Sequence, residues 1–518
     1  MPAKSRFTLH RLVAALVLSA LMYAASSARA DEPIVYTVKF PAPETRIAEV
    51  EAAFPTGKRA TIELMMPVWS PGFYRVEDYV GRVQSLSART ADGKTLVVEQ
   101  PQKNRWRVAT NGAASVTVTY KLLCNGRSVT ANWVGEDLLV MNGSASFITL
   151  AEQTRRPHEV RLELPPQWKR AMSGLDAAPG GNPNHFRAAD YDTLVDSPIV
   201  AGDLSVREFE VEGSKHLLVD AGDFKKWDGA RGAQDLEKVV RETRRYWGLL
   251  PFKRYVFLNV FRQGGGGLEH GNSTLLTSSS NMATPTLRWL SFVSHEYFHA
   301  FNVKRLRPVE LSAFDYERPP KTGSLWISEG LTTYGADLIV ARAGLCNTPE
   351  FLSMLSSNIT SLQNSPGRLK QTLEDASLDV WNSGTSGVGR DTQNLVSYYV
   401  KGPVVGFLLD ARIQRATGGK SLDDVMRLAY KRYSGARGFT PEQFRRTAED
   451  VAGVDLKEWF RKALSSVEEL DYTEALDWFG LRFAENDQPA NAWQLAVRAD
   501  ASAEQKLRLR KWLGQPGS

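Results

Sequence analysis

The sequence predicts a multidomain α+β chain, an antiparallel β-sandwich-like domain followed by a mainly helical one. Three observations predict it. A chain of 518 residues is too long for one ordinary core, which sets two or three domains as the expectation. Up to about residue 210 the chain carries short, regularly spaced strand patterns, and beyond about 225 the apolar period lengthens to that of helices. At 42% hydrophobic and 24% charged residues, the composition is that of an ordinary soluble globular protein.

The first thirty residues stand apart from this pattern. Lys4, Arg6 and Arg11 precede the apolar run "LVAALVLSALMYAA", and the small-x-small site Ala28-Arg29-Ala30 follows. That order reads as a secretory signal peptide cleaved after Ala30. A membrane anchor is the alternative, but the run is short for a bilayer span. Later segments are shorter still, so the expected mature protein is soluble and periplasmic or secreted. Residues 1–30 hold four cations (Lys4, Arg6, Arg11, Arg29) and no acid, so the formal +6 falls to +2 without them. Near-neutrality gives no electrostatic case for nucleic acid. Cys124 and Cys346, the only cysteines, are too few for a zinc site, and an oxidising compartment would permit a bond between them without establishing its geometry.

Residues 31–210 supply the β domain. "PIVYTVKF", "RATIELMMPVW", "TLVVEQ", "RWRVAT" and "ASVTVTYKLL" are rich in Val, Thr and aromatics, and several alternate apolar with polar. Gly, Pro and Asn-Gly turns separate them, as in an antiparallel sandwich. The second domain, 211–470, opens on the amphipathic helix "AQDLEKVVRETRRYWGLL", the buried-strand pattern "RYVFLNVFR" and the loop "QGGGGLEHGNSTL". Two later helices carry start signals: Thr440-Pro441-Glu442-Gln443, with Gly453 as the stop, and a second capping box at Asp455 to Glu458. Residues 471–518 are left as a short tail.

The chemistry-bearing stretch is "SHEYFHAFNVKRLRP". On a helix, His295 and His299 project from one face a turn apart, the spacing two imidazoles need to share one tetrahedral metal ion. Glu296 beside them is placed to reach a metal-bound water rather than the metal. A catalytic zinc needs a third protein ligand and an open position. Glu329 fills that need in "GSLWISEGLTTYGADLIVARAG", in the first turn of a second amphipathic helix beginning near Trp326. Two histidines and a glutamate are the donor set of a hydrolytic zinc site.

"SHEYFHAFNVKRLRP", "LWISEG" and "SYYVKGP", with "VWSPGFYRVEDY" in the β domain, resemble the glycyl aminopeptidase family of gluzincin metallopeptidases. The resemblance runs from about residue 35 to about 480 and implies a thermolysin-like catalytic domain. It implies one Zn2+ per chain on His295, His299 and Glu329, with Glu296 as general base and proton shuttle. A related Y-x-K-G pattern carries an oxyanion-stabilising tyrosine. Tyr399-Val400-Lys401-Gly402 matches it and makes Tyr399 the candidate, with adjacent Tyr398 as competitor.

The same group has a substrate-lining Gly-x-Met-Glu-Asn loop that "GGGGLEHGN" resembles. This puts Glu269 at the position that binds a free α-amine, with Gly266 and Gly267 lining the substrate backbone. His270 is either a positioning group or a solvated loop histidine. Many relatives end in a PDZ domain; "LDYTEALDWFGLRF" looks like its lead-in, but the residues after it are too few, which leaves a remnant or a capping helix.

The implied activity is removal of small N-terminal residues such as Gly or Ala from peptides. The alternatives are an endopeptidase on the same site, in which Glu269 only shapes the cleft, and a non-catalytic periplasmic binding or scaffold protein. The basic "NVKRLRP" after the metal helix reads as a helix C-terminal cap, with substrate-carboxylate binding as the other option.

Overall fold

The computed structural model describes residues 32–382, 393–484 and 491–515. The signal-peptide reading of residues 1–30 therefore lies outside the described residues. Among those described, no helix is long and apolar enough to cross a membrane.

The β domain is built as its alternation requires. In Ile34–Lys39 the side chains of Ile34, Tyr36 and Val38 are buried while their neighbours are not, and Ile47–Pro55 repeats the pattern. Both strands lie in an eight-stranded sheet, and two four-stranded sheets complete the domain. The sheets are antiparallel except where Ile34–Lys39 pairs in parallel with His158–Glu163. The period-2 pattern does not encode that direction, because the partner strand arrives more than a hundred residues later.

The second domain starts earlier than residue 211. Its five-stranded sheet runs in the order Ser205–Val211, Ser214–Gly222, Arg254–Phe261, Ser273–Ser278, Gly267–Glu269. Pairing of Ser205–Val211 with Ser214–Gly222 commits it to this sheet. Arg254–Phe261 is central, parallel to both neighbours and buried from Tyr255 onward, which explains its continuous apolar run. The Gly-rich loop leads into Gly267–Glu269, an edge strand antiparallel to Ser273–Ser278.

Helices cover this sheet. Gly229–Trp247 is capped by Asp228, which accepts from the Arg231 amide, and stops at Gly248 with φ of 80°. The helix Pro441–Ala452 has the expected Thr440/Gln443 capping box and ends at Gly453 in the left-handed region. The second expected box does not form. Helix Lys457–Leu464 is entered from Leu456, and Asp455 instead accepts a bond from the Lys457 amide. Cys124 and Cys346 are both free thiols, the first inside the β domain and the second on the helical domain.

The described residues of 471–515 pack onto the helical domain. Helix Thr473–Phe479, the hairpin of Leu481–Phe483 with Leu495–Val497, and helix Ala503–Trp512 contribute Phe479, Leu481, Leu495, Leu509 and Trp512 to the helical domain's own core. The low apolar content of the last helix hides this, since Leu509 and Trp512 are its two buried residues.

Candidate active site

Helix Leu287–Phe298 carries the first two candidate ligands and starts where Thr286 caps the Trp289 amide. At the C-terminal end of this helix His295 and His299 face each other, with Nε2 atoms 2.9 Å apart. The opposing segment is not the simple amphipathic helix expected. Trp326–Gly330 forms a π turn that leads into helix Leu331–Arg342, which is buried on nearly every face. Single π turns recur at functional sites because the extra residue redirects a side chain. Here the turn contains Glu329, whose Oε2 lies 3.1 Å from His299 Nε2 and 3.6 Å from His295 Nε2.

Those three spacings fit one metal ion. Four donors arranged tetrahedrally at zinc–nitrogen and zinc–oxygen distances lie about 3.3 Å from one another. The observed 2.9, 3.1 and 3.6 Å bracket that edge. Two imidazole nitrogens and a carboxylate oxygen that converge in this way could hold one metal ion. The outer hydrogen bonds fix the rings for it. His299 Nδ1 donates to the Asn302 carbonyl at 2.8 Å, and His295 Nδ1 lies 3.2 Å from Thr333 Oγ1, which itself donates to the Glu329 carbonyl at 3.0 Å. Each ring is left with Nε2 towards the site. Asn302 is held in turn by the Ile327 carbonyl and Thr332.

Glu296 is buried on the same helix. A Cβ on Gly267 would stand 2.4 Å from its Oε1, so the glycine at the start of the edge strand is what admits the carboxylate. Burial pushes the Glu296 carboxyl well above the usual range, opposed by His299 and reinforced by Glu269 and Glu329.

The Tyr-Val-Lys-Gly segment opens helix Tyr398–Thr417, and its glycine has a packing reason. A Cβ on Gly330 would lie 2.5 Å from the Gly402 Cα, and one on Gly402 would lie 2.7 Å from the Gly330 Cα. Only this glycine pair lets the two backbones cross closely enough to bring the tyrosines beside the Glu329 turn. The ring of Tyr399 is 6.1 Å from that of His295 and half-buried, whereas Tyr398 is wholly buried behind it.

Glu269 ends the edge strand, buried, with Oε1 lacking a hydrogen-bond partner, in the field of His299 and Glu329. Gly266 precedes that strand with φ of 107°, a backbone conformation that favours glycine. His270 is not solvated: it is buried, and its Nδ1 lies 3.2 Å from Asp196.

Asp196 escaped the sequence reading. It comes from the β domain and also accepts from the Gly271 amide at 2.7 Å and from Lys304 at 2.7 Å. Burial alone would raise its carboxyl, but Lys304 and then His270 hold it well below the usual range. One buried anion thus ties the loop after Glu269 to the chain leaving helix Leu287–Phe298. The basic "NVKRLRP" is used in the same way: Arg305 caps the Ala300 carbonyl and also binds that of Gly271.

A His/His/Glu centre with a neighbouring glutamate, on an α/β sheet roofed by helices, defines a zinc metallopeptidase. The model of the Peptidase M61 N-terminal domain matches residues 35–203, and that of the M61 glycyl aminopeptidase matches residues 288–405. The chain belongs to this aminopeptidase family.

A solved aminopeptidase N family protein from Idiomarina loihiensis is 28% identical, with a TM-score of 0.82 over 86% of this chain and 78% of that one. An M1 zinc metallopeptidase from Deinococcus radiodurans shares the fold at 14% identity, with a TM-score of 0.53 over 85% of this chain and 95% of its own. A variant of that enzyme solved with a Tyr-Ser-Ala substrate superposes equally, with a TM-score of 0.53 at 13% identity over the same shares of the two chains. No curated protein matches the chain.

Proposed function

We propose that this chain is exported and removes the N-terminal residue of peptides, preferring small residues such as Gly or Ala. The observation that carries the exopeptidase reading is Glu269, a buried carboxylate with an unpartnered oxygen at the end of an edge strand beside the His/His/Glu cluster. An extended peptide adding to that edge brings its α-ammonium to Glu269 and its first peptide bond to the cluster. The small-residue preference rests on the family's description as glycyl aminopeptidases. Export rests on the basic, apolar and small-x-small order of residues 1–30.

In this mechanism His295, His299 and Glu329 would hold the zinc ion. Bound there, zinc supplies Lewis acidity to the scissile carbonyl and acidifies water. Glu296 takes the proton of the attacking water and returns it to the leaving amine. Tyr399 donates a hydrogen bond to the carbonyl oxygen as negative charge develops on it. Glu269 pairs with the α-ammonium, which fixes the cut after the first residue.

Free and N-acetylated forms of the same short peptides test the reading. The wild type is expected to cleave only the free form. Glu269→Gln is expected to lose on the order of 10²-fold in kcat/KM on it, since a buried charge pair is broken. Equal cleavage of both forms by the wild type would instead support the endopeptidase reading.

A further inference from the structure

The "VWSPGFYRVEDY" segment matches the family pattern yet has no part in the mechanism above. The structure sends it out of its own domain. Val68 N donates to the Tyr316 carbonyl at 2.9 Å, Trp69 Nε1 donates to the Asp315 carbonyl at 2.8 Å, and Glu77 N closes the loop on the Val68 carbonyl at 2.8 Å. At its tip Gly72 has φ of 94°, and a Cβ there would stand 2.2 Å from Glu269 Oε1. Tyr74 follows, 2% exposed, its ring edge-on to Trp381 at 6.0 Å. Among the described residues before Ser205, Tyr74 alone joins the hydrophobic core of the helical domain.

Packing accounts for the ring of Tyr74 but not for its hydroxyl. The Tyr74 hydroxyl is buried without a hydrogen-bond partner of ordinary geometry, and so is Glu329 Oε1. Glu329 lies within hydrogen-bonding reach of that hydroxyl and, with Glu269, is its main charged neighbour. A buried donor and a buried acceptor, both unsatisfied and adjacent, gain by closing on each other. The other oxygen of Glu329 is the one that faces the two imidazoles.

We infer that Tyr74, delivered by the β domain, donates a hydrogen bond to Oε1 of Glu329 and so orients the carboxylate that faces His295 and His299. The inference rests on the reading of Glu329 as a metal ligand. Tyr74 is then a positioning residue, and the metal centre is incomplete without the N-terminal domain. Outer hydrogen-bond partners of this kind are worth 10- to 100-fold in metal affinity.

Zinc affinity of the full chain, measured by competition with a chromophoric chelator, tests it in Tyr74→Phe, Glu329→Gln and Tyr36→Phe. Tyr36 is another buried tyrosine, whose hydroxyl serves the Ile148 carbonyl inside the β domain. Tyr74→Phe keeps the ring and its contact with Trp381. It is expected to weaken zinc binding about 10- to 100-fold, while Tyr36→Phe leaves it at the wild-type value. Wild-type affinity in Tyr74→Phe alongside collapse in Glu329→Gln would overturn the role of Tyr74 alone. So would a Tyr74→Phe defect confined to KM for free-amine peptides, which would assign the phenol to Glu269. Unchanged affinity in Glu329→Gln would remove the ligand reading itself.

Discussion

Replacing Glu296 by Gln is expected to lower kcat by about 10²- to 10⁴-fold while zinc content stays at the wild-type level. The separation follows from placement. Glu296 shares a helix with both histidines and neighbours His299 and Glu329, but it lies beside Gly267 of the edge strand and outside the His/His/Glu ligand group. Gln preserves the shape and removes the basicity, so what is lost is proton transfer and not the donor set. The check pairs elemental zinc with single-turnover kinetics on a Gly- or Ala-initiated peptide. Near-normal turnover in that variant would exclude Glu296 as the base.

Replacing Trp512 by Ala is expected to destabilise the protein by about 3–5 kcal/mol, the range for deleting a buried large aromatic. Trp512 stacks on Phe479 at 4.2 Å between ring centres and touches Phe351 and Phe407 at 5.1 and 5.6 Å. Its indole N–H also serves a buried polar pair. Tyr334 donates to Asp410 Oδ2 at 2.6 Å, and Trp512 Nε1 reaches that same oxygen at 3.2 Å and the Tyr334 hydroxyl at 3.0 Å. Burial pushes the Asp410 carboxyl up, so a donor lost here is felt. Tyr334 sits one turn beyond Glu329, and the C-terminal helix therefore braces the helix that follows the candidate ligand. Denaturant unfolding of the full chain should show a lower midpoint for Trp512→Ala. An unchanged midpoint would mean that residues 471–515 are dispensable to the core.

What the sequence made legible was local. His295, Glu296 and His299 are close in the chain, and Glu329 returns after a single connection, so the donor set could be assembled from spacing and residue chemistry. The strand Arg254–Phe261 and the helix starting at Pro441 announce themselves by period and caps. The groups that were not legible depend on contacts between distant segments. Asp196 and Tyr74 lie on β-domain loops far from helix Leu287–Phe298 in sequence; no local pattern separates Asp196 from surface residues, and the family-like segment around Tyr74 does not report what that side chain touches. The π turn at Trp326 reflects the close crossing of Gly330 and Gly402, which no period reports. The packing of the tail was not legible because its last helix is mostly polar, although Leu509 and Trp512 hold it in the core.

The most direct measurement is zinc per chain in the purified protein, by elemental analysis after exhaustive dialysis. It compares the wild type with His295→Ala, His299→Ala and Glu329→Gln, with far-UV circular dichroism to confirm folding. One zinc per wild-type chain is expected, with loss of it in each folded variant. A folded wild type that holds no zinc, or full retention by all three variants, would contradict this.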